Sequence, residues 1–537
     1  MVRFAITNAG RHVDVENGSN PEEFGGDRQE GFMDRSVDQI LDCVRENVDV
    51  HVQNGVLVAK SADARSLSLP AIYPEWLGDA AFAQAHGARF NYVVGEMARG
   101  IATPRMVIEA VRAGCVGFYG SAGLKPDTIQ AGIQEIKAGI AQGQTSWGAN
   151  LIHSPQQPGY EAEVVDLFLS MGVRRVSASA YMRLSPEVVR YTALGLSRDG
   201  QGSIRRANHV FAKVSRAEVA RQFMQPAPEK ILRALVSENR ISPEQAELAA
   251  QVPVALDLTA EADSGGHTDN RAAAPLFSSL SIARDQVAAE TGIDANMIRI
   301  GLGGGIATPH GVAAAFQMGA AYVLTGSINQ AAIESGLSEP ARQLLAKAGP
   351  ADVGMAPAAD MFEQGVEVQV LKRGTLFAMR GRKLHALYKA GLSFETMTQK
   401  DRAWLEDVLG EPFDDVWQKT RAFMLQSNPK EAARAEADGN KRLALVARRY
   451  LFMGAQWARE GVADKASDYQ IWCGPAQGAF NEWVAGTFLE PIENRTVRQI
   501  ALNLMEGAAR LTRAGQMRAA GIAVPPTAFS CTPKRFL

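Results

Sequence analysis

Residues 260–271 (AEADSGGHTDNR) place carboxylates, a glycine pair and a histidine directly after an apolar run, VPVALDL, at 252–258. Gly265 and Gly266 permit a sharp turn and a close approach of a ligand to the backbone, because neither carries a Cβ atom. The imidazole of His267 can donate a proton or a hydrogen bond to a developing oxyanion near neutral pH. A single histidine is more often structural, but this polar loop after a strand predicts that His267 contacts a ligand or acts in catalysis.

Glycine-rich segments end the next two apolar runs. The first, IRIGLGGG, ends in Gly303, Gly304 and Gly305, and the second, AYVLTGS, ends in Gly326 and Ser327. Backbone amides at a helix N-terminus bind phosphate, and barrels repeatedly build such a site after strands seven and eight. The two segments therefore predict a phosphate site, although a glycine run by itself commonly marks only a turn.

Small or polar residues follow earlier apolar runs at four positions: Met97, Ala98, Asn150 and Lys213. The small residues and backbone turn at 97–98 suit contact with a flat ring. Strand alternation places Lys213 on the same face as Phe211 and His209. Burial of an unpaired lysine costs several kcal/mol, so its ammonium needs an anion or cofactor, or an ion pair with Glu261 or Asp263. The sequence leaves these two interpretations open.

The elements that position these residues follow a repeated pattern. Short apolar runs alternate with longer helical segments from about residue 90, and eight strands are predicted, at 92–96, 116–119, 147–152, 175–178, 210–213, 254–258, 298–302 and 322–325. Eight such units predict an α/β fold, a (β/α)8 TIM barrel over residues 89–350. The loops at the carboxyl ends of its strands would share one mouth.

Three further regions are expected. Two helices at about 224–251 form a helical insertion after strand 5, which could be a lid or wall at the mouth. Residues 1–88 form an N-terminal segment with a strand pair near 48–59, and residues 351–537 form a connector and a mainly helical C-terminal region; no strand is expected beyond residue 333. Core packing, or equally a homodimer contact, explains the tryptophans of that region, Trp404, Trp417, Trp457, Trp472 and Trp483.

Composition limits the partners. The 537 residues carry 56 Lys and Arg against 58 Asp and Glu, so no electrostatic feature favours nucleic acid or a membrane surface. The four cysteines lie far apart, which argues against a disulfide framework or a zinc site, and no metal site is predicted. The first residues lack the apolar core of a signal peptide and no run is long enough to span a bilayer, so a cytoplasmic location is expected.

Seven segments together carry a resemblance to a known family: GEMARGIATP, NLIHSP, KVSRAEVARQFMQPAP, TAEADSGGHTDNR, GGGIATPHGVAAAFQMGAAYVLTGSINQ, MAPAADMFEQGVEVQVLKRGTLFAMR and DYQIWCGPAQGAFNEWV. Nearly the whole chain resembles the PfaD-type flavin-dependent enoyl reductases of polyunsaturated fatty acid synthases and trans-acyltransferase polyketide synthases. These belong to the 2-nitropropane dioxygenase, or nitronate monooxygenase, superfamily. The helical insertion and the C-terminal segments resemble this branch specifically.

The resemblance implies a TIM barrel that binds FMN. Met97 and Ala98 would contact the flavin ring, and Asn150 and Lys213 would bind its polar edge. His267 would lie beside the ring at the substrate position. The remaining expected cofactor-binding residues are those of the glycine loops: Gly265, Gly266, Gly303, Gly304, Gly305, Gly326 and Ser327.

The resemblance also implies an activity. NADPH would reduce the flavin, which would pass hydride to a 2-enoyl thioester on an acyl carrier protein during polyunsaturated fatty acid or polyketide biosynthesis. NADPH is implied by the family alone, since the chain has no separate dinucleotide-binding fingerprint. Three alternatives stay open: a nitronate monooxygenase, a non-catalytic component of a megasynthase, and a flavin-free barrel that binds a phosphorylated metabolite.

Overall fold

The computed structural model describes residues 36–154, 157 and 159–536, so part of the predicted N-terminal segment, residues 1–35, lies outside the described residues. Eight parallel strands close into a barrel in chain order, and Val323 of the last strand pairs with Tyr92 of the first. The strands are β1 (Tyr92–Val94), β2 (Val116–Tyr119), β3 (Trp147–Ile152), β4 (Arg175–Ser179), β5 (His209–Val214), β6 (Asp257–Glu261), β7 (Arg299–Gly303) and β8 (Val323–Thr325). The predicted TIM barrel is confirmed.

The sixth strand was predicted too early, at 254–258. The backbone before it is occupied by the insertion: Pro253 pairs with Pro226, and the Val254 amide donates to the Gln225 carbonyl at 3.0 Å. The barrel ladder therefore begins only at Asp257, which lies opposite Phe211 of β5.

Aromatic side chains fill the barrel interior. Phe211 of β5 meets Phe118 of β2 edge-on, with ring centroids 4.9 Å apart. Phe82, from the helix Ala80–His86, stacks on Tyr322 at 4.4 Å and closes the amino-terminal end of the barrel. The carboxyl-terminal end of the strands is thereby left as the accessible mouth.

A buried ionic network lies at the amino-terminal ends of the strands. Arg299 donates two hydrogen bonds to Asp257, at 2.7 and 2.8 Å, and Asp257 also contacts Nε2 of His86 at 3.0 Å. His86, His209 and Asp257 lie close enough together to hold a metal ion. Arg175 and Arg299 already bond to His86 and Asp257, and their positive charges oppose a cation there. The network therefore closes the amino-terminal end of the barrel, opposite the mouth.

The helices that follow the strands use proline and threonine or serine at their starts, as at Thr103-Pro104 and Ser185-Pro186. They cover the barrel as Pro104–Arg112, Pro126–Gly139, Tyr160–Ser170, Pro186–Ala193, Ala217–Met224, Ala273–Thr291 and Pro309–Gln317, with short helices at Ala295–Met297 and Ser327–Ala331.

The insertion after β5 consists of helices Glu229–Ser237 and Pro243–Ala249. They pack on the outer side of helix Pro186–Ala193, where Arg240 donates to Glu187 at 2.6 Å. Its expected position over the mouth is therefore wrong: Ala217–Met224 carries the chain away from the mouth before the insertion begins.

The N-terminal segment forms helix Val37–Asp42 and a three-stranded antiparallel sheet of Val48–Gln53, Val56–Val58 and Arg65–Leu69, followed by a short helix at Pro74–Trp76. The predicted strand pair is confirmed. Ile40 and Val50 share a core with Ala514 and Met517 of the C-terminal helix Val497–Ala519. The two ends of the described chain thus pack together.

Beyond the barrel the chain is mainly helical, as predicted, but it also contains an antiparallel pair, Val353–Pro357 and Glu367–Leu371. The expectation of no further strand was wrong, because these short strands lie beside Pro and Gly residues that masked their pattern. The helices are Glu339–Ala346, Phe377–Lys389, Gln399–Leu409, Phe413–Ser427, Pro429–Ala437, Gly439–Glu460, Ala476–Val484 and Val497–Ala519, with short ones at Ala463–Asp468, Ile492–Asn494 and Pro526–Phe529.

The tryptophans of this region are accounted for by packing. Trp417 is buried, and Trp404, Trp457, Trp472 and Trp483 pack against buried apolar clusters. The four cysteines are free. Within the described ranges, no helix combines the length and the apolar character that crossing a bilayer requires.

Candidate active site

The residues predicted to carry chemistry converge at the mouth of the barrel. Asn150, Lys213 and Glu261 lie at or near the ends of β3, β5 and β6, and the glycine loops follow β7 and β8. Because all eight strands are parallel, their carboxyl ends meet on one rim. Residues that are far apart in the sequence therefore lie together in a single site.

Lys213 lies between two carboxylates. Its Nζ is 2.9 Å from Glu261 and 3.0 Å from Glu96, so the ion pair with Glu261, one of the alternatives left open, is present and Asp263 takes no part in it. Burial would lower the pKa of Lys213, but the two carboxylates outweigh it and hold this pKa above its usual value. The ammonium has three donors, which leaves one for a ligand. Glu96 was missed, although it closes the predicted first strand.

Asn150 is almost fully buried at the end of β3. Its Nδ2 donates to the Ser177 carbonyl at 3.0 Å and to Ser179 Oγ at 2.9 Å, both on β4. These bonds use both amide donors. A ligand at this position therefore meets the side-chain carbonyl oxygen of Asn150.

The turn at Met97 and Ala98 is held by close backbone packing. Arg99 and Gly100 have φ values of 57° and 72°, and the Ala102 amide donates to the Met97 carbonyl at 3.1 Å. A Cβ on Gly120 would lie 1.8 Å from that carbonyl oxygen, so only glycine fits there. The turn is fixed against the end of β2, as contact with a rigid ligand requires.

The loop that bears His267 is fixed by the C-terminal region. Gly266 exchanges two backbone hydrogen bonds with Gln369, at 3.1 and 3.2 Å. A Cβ on Gly265 would lie 2.5 Å from the amide nitrogen of Cys473. Gly265 is thus required by close approach of another backbone segment, which nothing in the local sequence indicated.

His267 lies at the rim with 42% of its side chain exposed. Its Nε2 is 3.0 Å from Oδ1 of Asp360, which follows the strand Val353–Pro357. Burial would raise the pKa of Asp360, but the hydrogen bond from His267 and the charges of His267 and Arg448 outweigh it and keep this pKa low. Asp360 was missed because it is far from His267 along the chain.

The glycine loops after β7 and β8 form an open cradle at the mouth. A Cβ on Gly305 or Gly326 would find no heavy atom within 4 Å. Within the part of the chain that is described, the backbone amides of Gly304, Gly305 and Gly326 have no hydrogen-bond acceptor. A phosphate dianion binds free backbone amides where there is room for it, and Gly305 and Gly326 have that room. These residues therefore fit the phosphate of a mononucleotide cofactor.

Two members of the predicted set differ in role. Gly303 is buried in β7, where a Cβ would lie 3.1 Å from the Thr259 methyl group, so it packs the barrel rather than faces the cradle. Ser327 Oγ accepts a hydrogen bond from the Gly474 amide at 3.3 Å. The C-terminal segment at 472–474 thus reaches both the His267 loop and the cradle.

Comparisons with known proteins extend this description. Residues 392–469 match the family model described as "[Acyl-carrier-protein] S-malonyltransferase, inserted helical domain". The chain is 43% identical over 449 residues to a polyunsaturated fatty acid synthase subunit of Thraustochytrium sp., covering 82% of this chain and 30% of that protein. It is 39% identical over 435 residues to polyketide biosynthesis protein PksE of Bacillus subtilis, covering 81% of this chain and 56% of that protein.

A solved structure matches a similar share of the chain. The enoyl reductase domain of MlnA, from the macrolactin biosynthesis cluster of Bacillus amyloliquefaciens, is 34% identical with a TM-score of 0.77, covering 83% of this chain and 99% of that one. The fold and site define a TIM barrel with a glycine-rich cradle and a histidine at its mouth. The chain belongs to the PfaD-type enoyl reductase family. It spans less than two thirds of the length of these two curated relatives.

Proposed function

We propose that this protein is an FMN-dependent, trans-acting enoyl reductase that reduces 2-enoyl thioesters on acyl carrier protein with NADPH. The observation that carries the proposal is the match to the enoyl reductase domain of MlnA, 99% of which is covered at 34% identity. The convergence of His267, Lys213 and the glycine cradle in one mouth supports the same conclusion.

The residues present fit the proposed cofactor. The amides of Gly304, Gly305 and Gly326 would hold the FMN phosphate, and the turn at Met97 and Ala98 would contact the ring. The third donor of Lys213 and the carbonyl oxygen of Asn150 would meet polar atoms of the ring. When bound, the flavin supplies the hydride chemistry that no side chain provides.

His267 is the proposed catalytic residue. Reduction of an enoyl thioester builds negative charge on the thioester oxygen, and a donor aimed at that oxygen lowers the barrier by about 3 to 4 kcal/mol. With Nε2 engaged by Asp360, Nδ1 is the ring nitrogen that remains for the substrate. It donates only when the ring carries both protons, and Asp360 would hold the ring in the orientation that the reaction needs.

The proposed partners are acyl carrier domains of a polyunsaturated fatty acid or polyketide synthase. Relatives of this chain include a polyunsaturated fatty acid synthase subunit and a polyketide biosynthesis protein, and a carrier-bound thioester must reach the mouth from outside. The cytoplasmic location and a homodimer stay predictions from the sequence.

The test is an NADPH oxidation assay under anaerobic conditions with crotonyl acyl carrier protein, in which the flavin spectrum is followed. We expect a yellow protein that is bleached by NADPH and recovers its colour on addition of the enoyl thioester. The variant His267→Ala should keep its flavin and lose about 100-fold or more in kcat. A colourless protein that FMN does not reconstitute, or oxygen-dependent turnover of a nitronate without NADPH, would overturn the proposal.

A further inference from the structure

Arg99 is a cation with an unusual setting beside the mouth. It follows the Met97-Ala98 turn, its backbone is left-handed with φ 57°, and its guanidinium lies 4.1 Å from the ring centroid of Phe452 and 5.7 Å from that of Trp472. Stacking against two rings fixes a guanidinium while its N–H groups stay available at the edges. Among the described residues, the Arg99 side chain has no hydrogen-bond or ion-pair partner.

Arg459 adds a second cation at the same place. It lies on the helix Gly439–Glu460, which also carries Phe452, and its Nε is buried without a hydrogen-bond partner in the described part of the chain. Burial, and then the neighbouring charge of Arg459, lower the pKa of Arg99 to about 10. Two like charges held close together destabilise the protein, and an anion that binds between them relieves this repulsion.

The neighbouring cations are paired. Arg448 donates to the Ala359 carbonyl at 2.9 Å and contacts Glu363 at 3.3 Å, and Arg380 and Lys383 form ion pairs with Asp468 and Asp401. The charge of Asp360 also acts on Arg99, but this carboxylate is already engaged by His267. Arg99 and Arg459 are thus two cations at this rim for which no carboxylate partner is found among the described residues.

The Arg99–Arg459 pair lies near the loop that bears His267. Trp472, which flanks Arg99, is followed by Cys473, whose amide contacts the His267 loop at Gly265. A guanidinium pair recognises the oxygens of a phosphate ester by charge-assisted, bidentate hydrogen bonds. Both proposed substrates carry such a group: the pyrophosphate of NADPH and the phosphodiester of a carrier-bound pantetheine arm.

We propose that Arg99 and Arg459 form a binding site for a phosphate ester of an incoming substrate, at the rim beside His267 and separate from the glycine cradle. The identity of its ligand rests on the proposed function. Its existence rests only on the two unpaired cations and on the rings that position Arg99.

Direct binding tests the site without any turnover. Inorganic pyrophosphate, titrated calorimetrically into the flavin-loaded protein, should bind, and Arg99→Gln and Arg459→Gln should each weaken binding about tenfold or more. The exposed Arg382, on helix Phe377–Lys389, gives the control Arg382→Gln, which should bind like the wild type. Equal binding by all four proteins would overturn the site, whether or not the protein reduces enoyl thioesters.

Kinetics separate the two sources of the phosphate ester. If the pantetheine arm binds here, Arg99→Gln raises KM for crotonyl acyl carrier protein about tenfold but leaves KM for crotonyl N-acetylcysteamine, which lacks phosphate, unchanged. If NADPH binds here, KM for NADPH rises with either thioester. Loss of flavin from Arg99→Gln and Arg459→Gln, with both KM values unchanged in the reconstituted proteins, would overturn the proposal, because the pair would then serve the cofactor.

Discussion

At the scale of single residues, the chemistry of the mouth depends on how His267 is held. Asp360 contacts Nε2 at 3.0 Å, and Asp360 itself lies beside a turn anchored by the bond from Arg448 to the Ala359 carbonyl. The imidazole is thus oriented by a segment outside the barrel. This arrangement assigns Asp360 as a positioning residue that acts through His267.

The variant Asp360→Asn tests that role. The amide keeps the shape but loses the charge, so we expect kcat to fall about tenfold or more, since hydrogen bonds to charged groups contribute about 1.5–3 kcal/mol, with KM for the thioester unchanged. Asp360→Glu should restore part of the rate; a kcat equal to wild type in Asp360→Asn would refute the role.

At the scale of elements, the loops after β7 and β8 form the cradle. Their glycines differ in whether the fold tolerates a side chain at that position. Gly304 has φ 85° and would place a Cβ 2.5 Å from the Ala262 carbonyl oxygen, so it is required by the fold. Gly326 has a negative φ and open space around it. A substitution at Gly326 therefore reports on the ligand rather than on folding.

Gly326→Ala should weaken FMN binding about tenfold or more, because a methyl group would fill the space that we assign to the phosphate. Gly200, in the hairpin between Leu196–Arg198 and Ile204–Arg206, also has open space around it, so Gly200→Ala is the matched control. Titration of the apo-proteins with FMN and their thermal midpoints are the measurements. Equal FMN affinity for both variants would place the phosphate elsewhere.

The buried network at the amino-terminal ends of the strands leads to a separate prediction about pH. Burial, then the charges of His86 and Arg175, lower the pKa of His209 to about 3 from its usual value of 6.5. Between these values the unfolded chain binds the proton more readily, so the free energy of unfolding falls as pH decreases. From pH 6.5 to pH 5 the loss is about 2 kcal/mol for this histidine.

Urea unfolding at pH 6.5 and pH 5 measures the effect. His209→Gln should lose less stability than the wild type over this range, whereas a substitution of the exposed His310 to Gln should leave the difference unchanged. An identical pH dependence in His209→Gln and the wild type would show that the histidine is not protonated on unfolding.

At the scale of the whole molecule, the helix Val497–Ala519 joins the barrel to the N-terminal sheet. Leu504 and Ala508 lie in the same core as the barrel helices, and the guanidinium of Arg513 donates to the Pro70 carbonyl at 2.8 Å. Gly507 lets this helix approach the barrel: a Cβ there would lie 2.5 Å from Cγ of Pro309. The barrel therefore depends on the C-terminal region for its cover.

Two alanine substitutions on this helix should act in opposite directions. Alanine favours a helix over glycine by about 1 kcal/mol, and Gly515→Ala should gain that stability because its Cβ has open space. Gly507→Ala should instead lose about 1–3 kcal/mol by overpacking against Pro309. Denaturant unfolding of both variants is the measurement, and an equal gain in both would contradict the close helix contact.

The amount that could be predicted varies between parts of the site. Lys213 and Asn150 were found because strand alternation and the βα repeat fix the face and the end of the barrel on which a residue lies. Glu96 was missed although the same pattern contains it, since a carboxylate at a strand end has many possible partners. Asp360, Gln369 and Cys473 carried no local signal, because their contacts join segments distant along the chain.

The sequence by itself determined the barrel, the glycine cradle and the histidine loop, since each depends on local periodicity, backbone freedom and the order of strands. The tertiary structure alone decided that the insertion lies outside the mouth and that the segments around Asp360, Gln369 and Trp472 enclose it. It also decided which cations are paired, and it leaves Arg99 and Arg459 without a carboxylate partner among the described residues. Packing between remote segments sets these contacts, and no local pattern encodes which segments will meet.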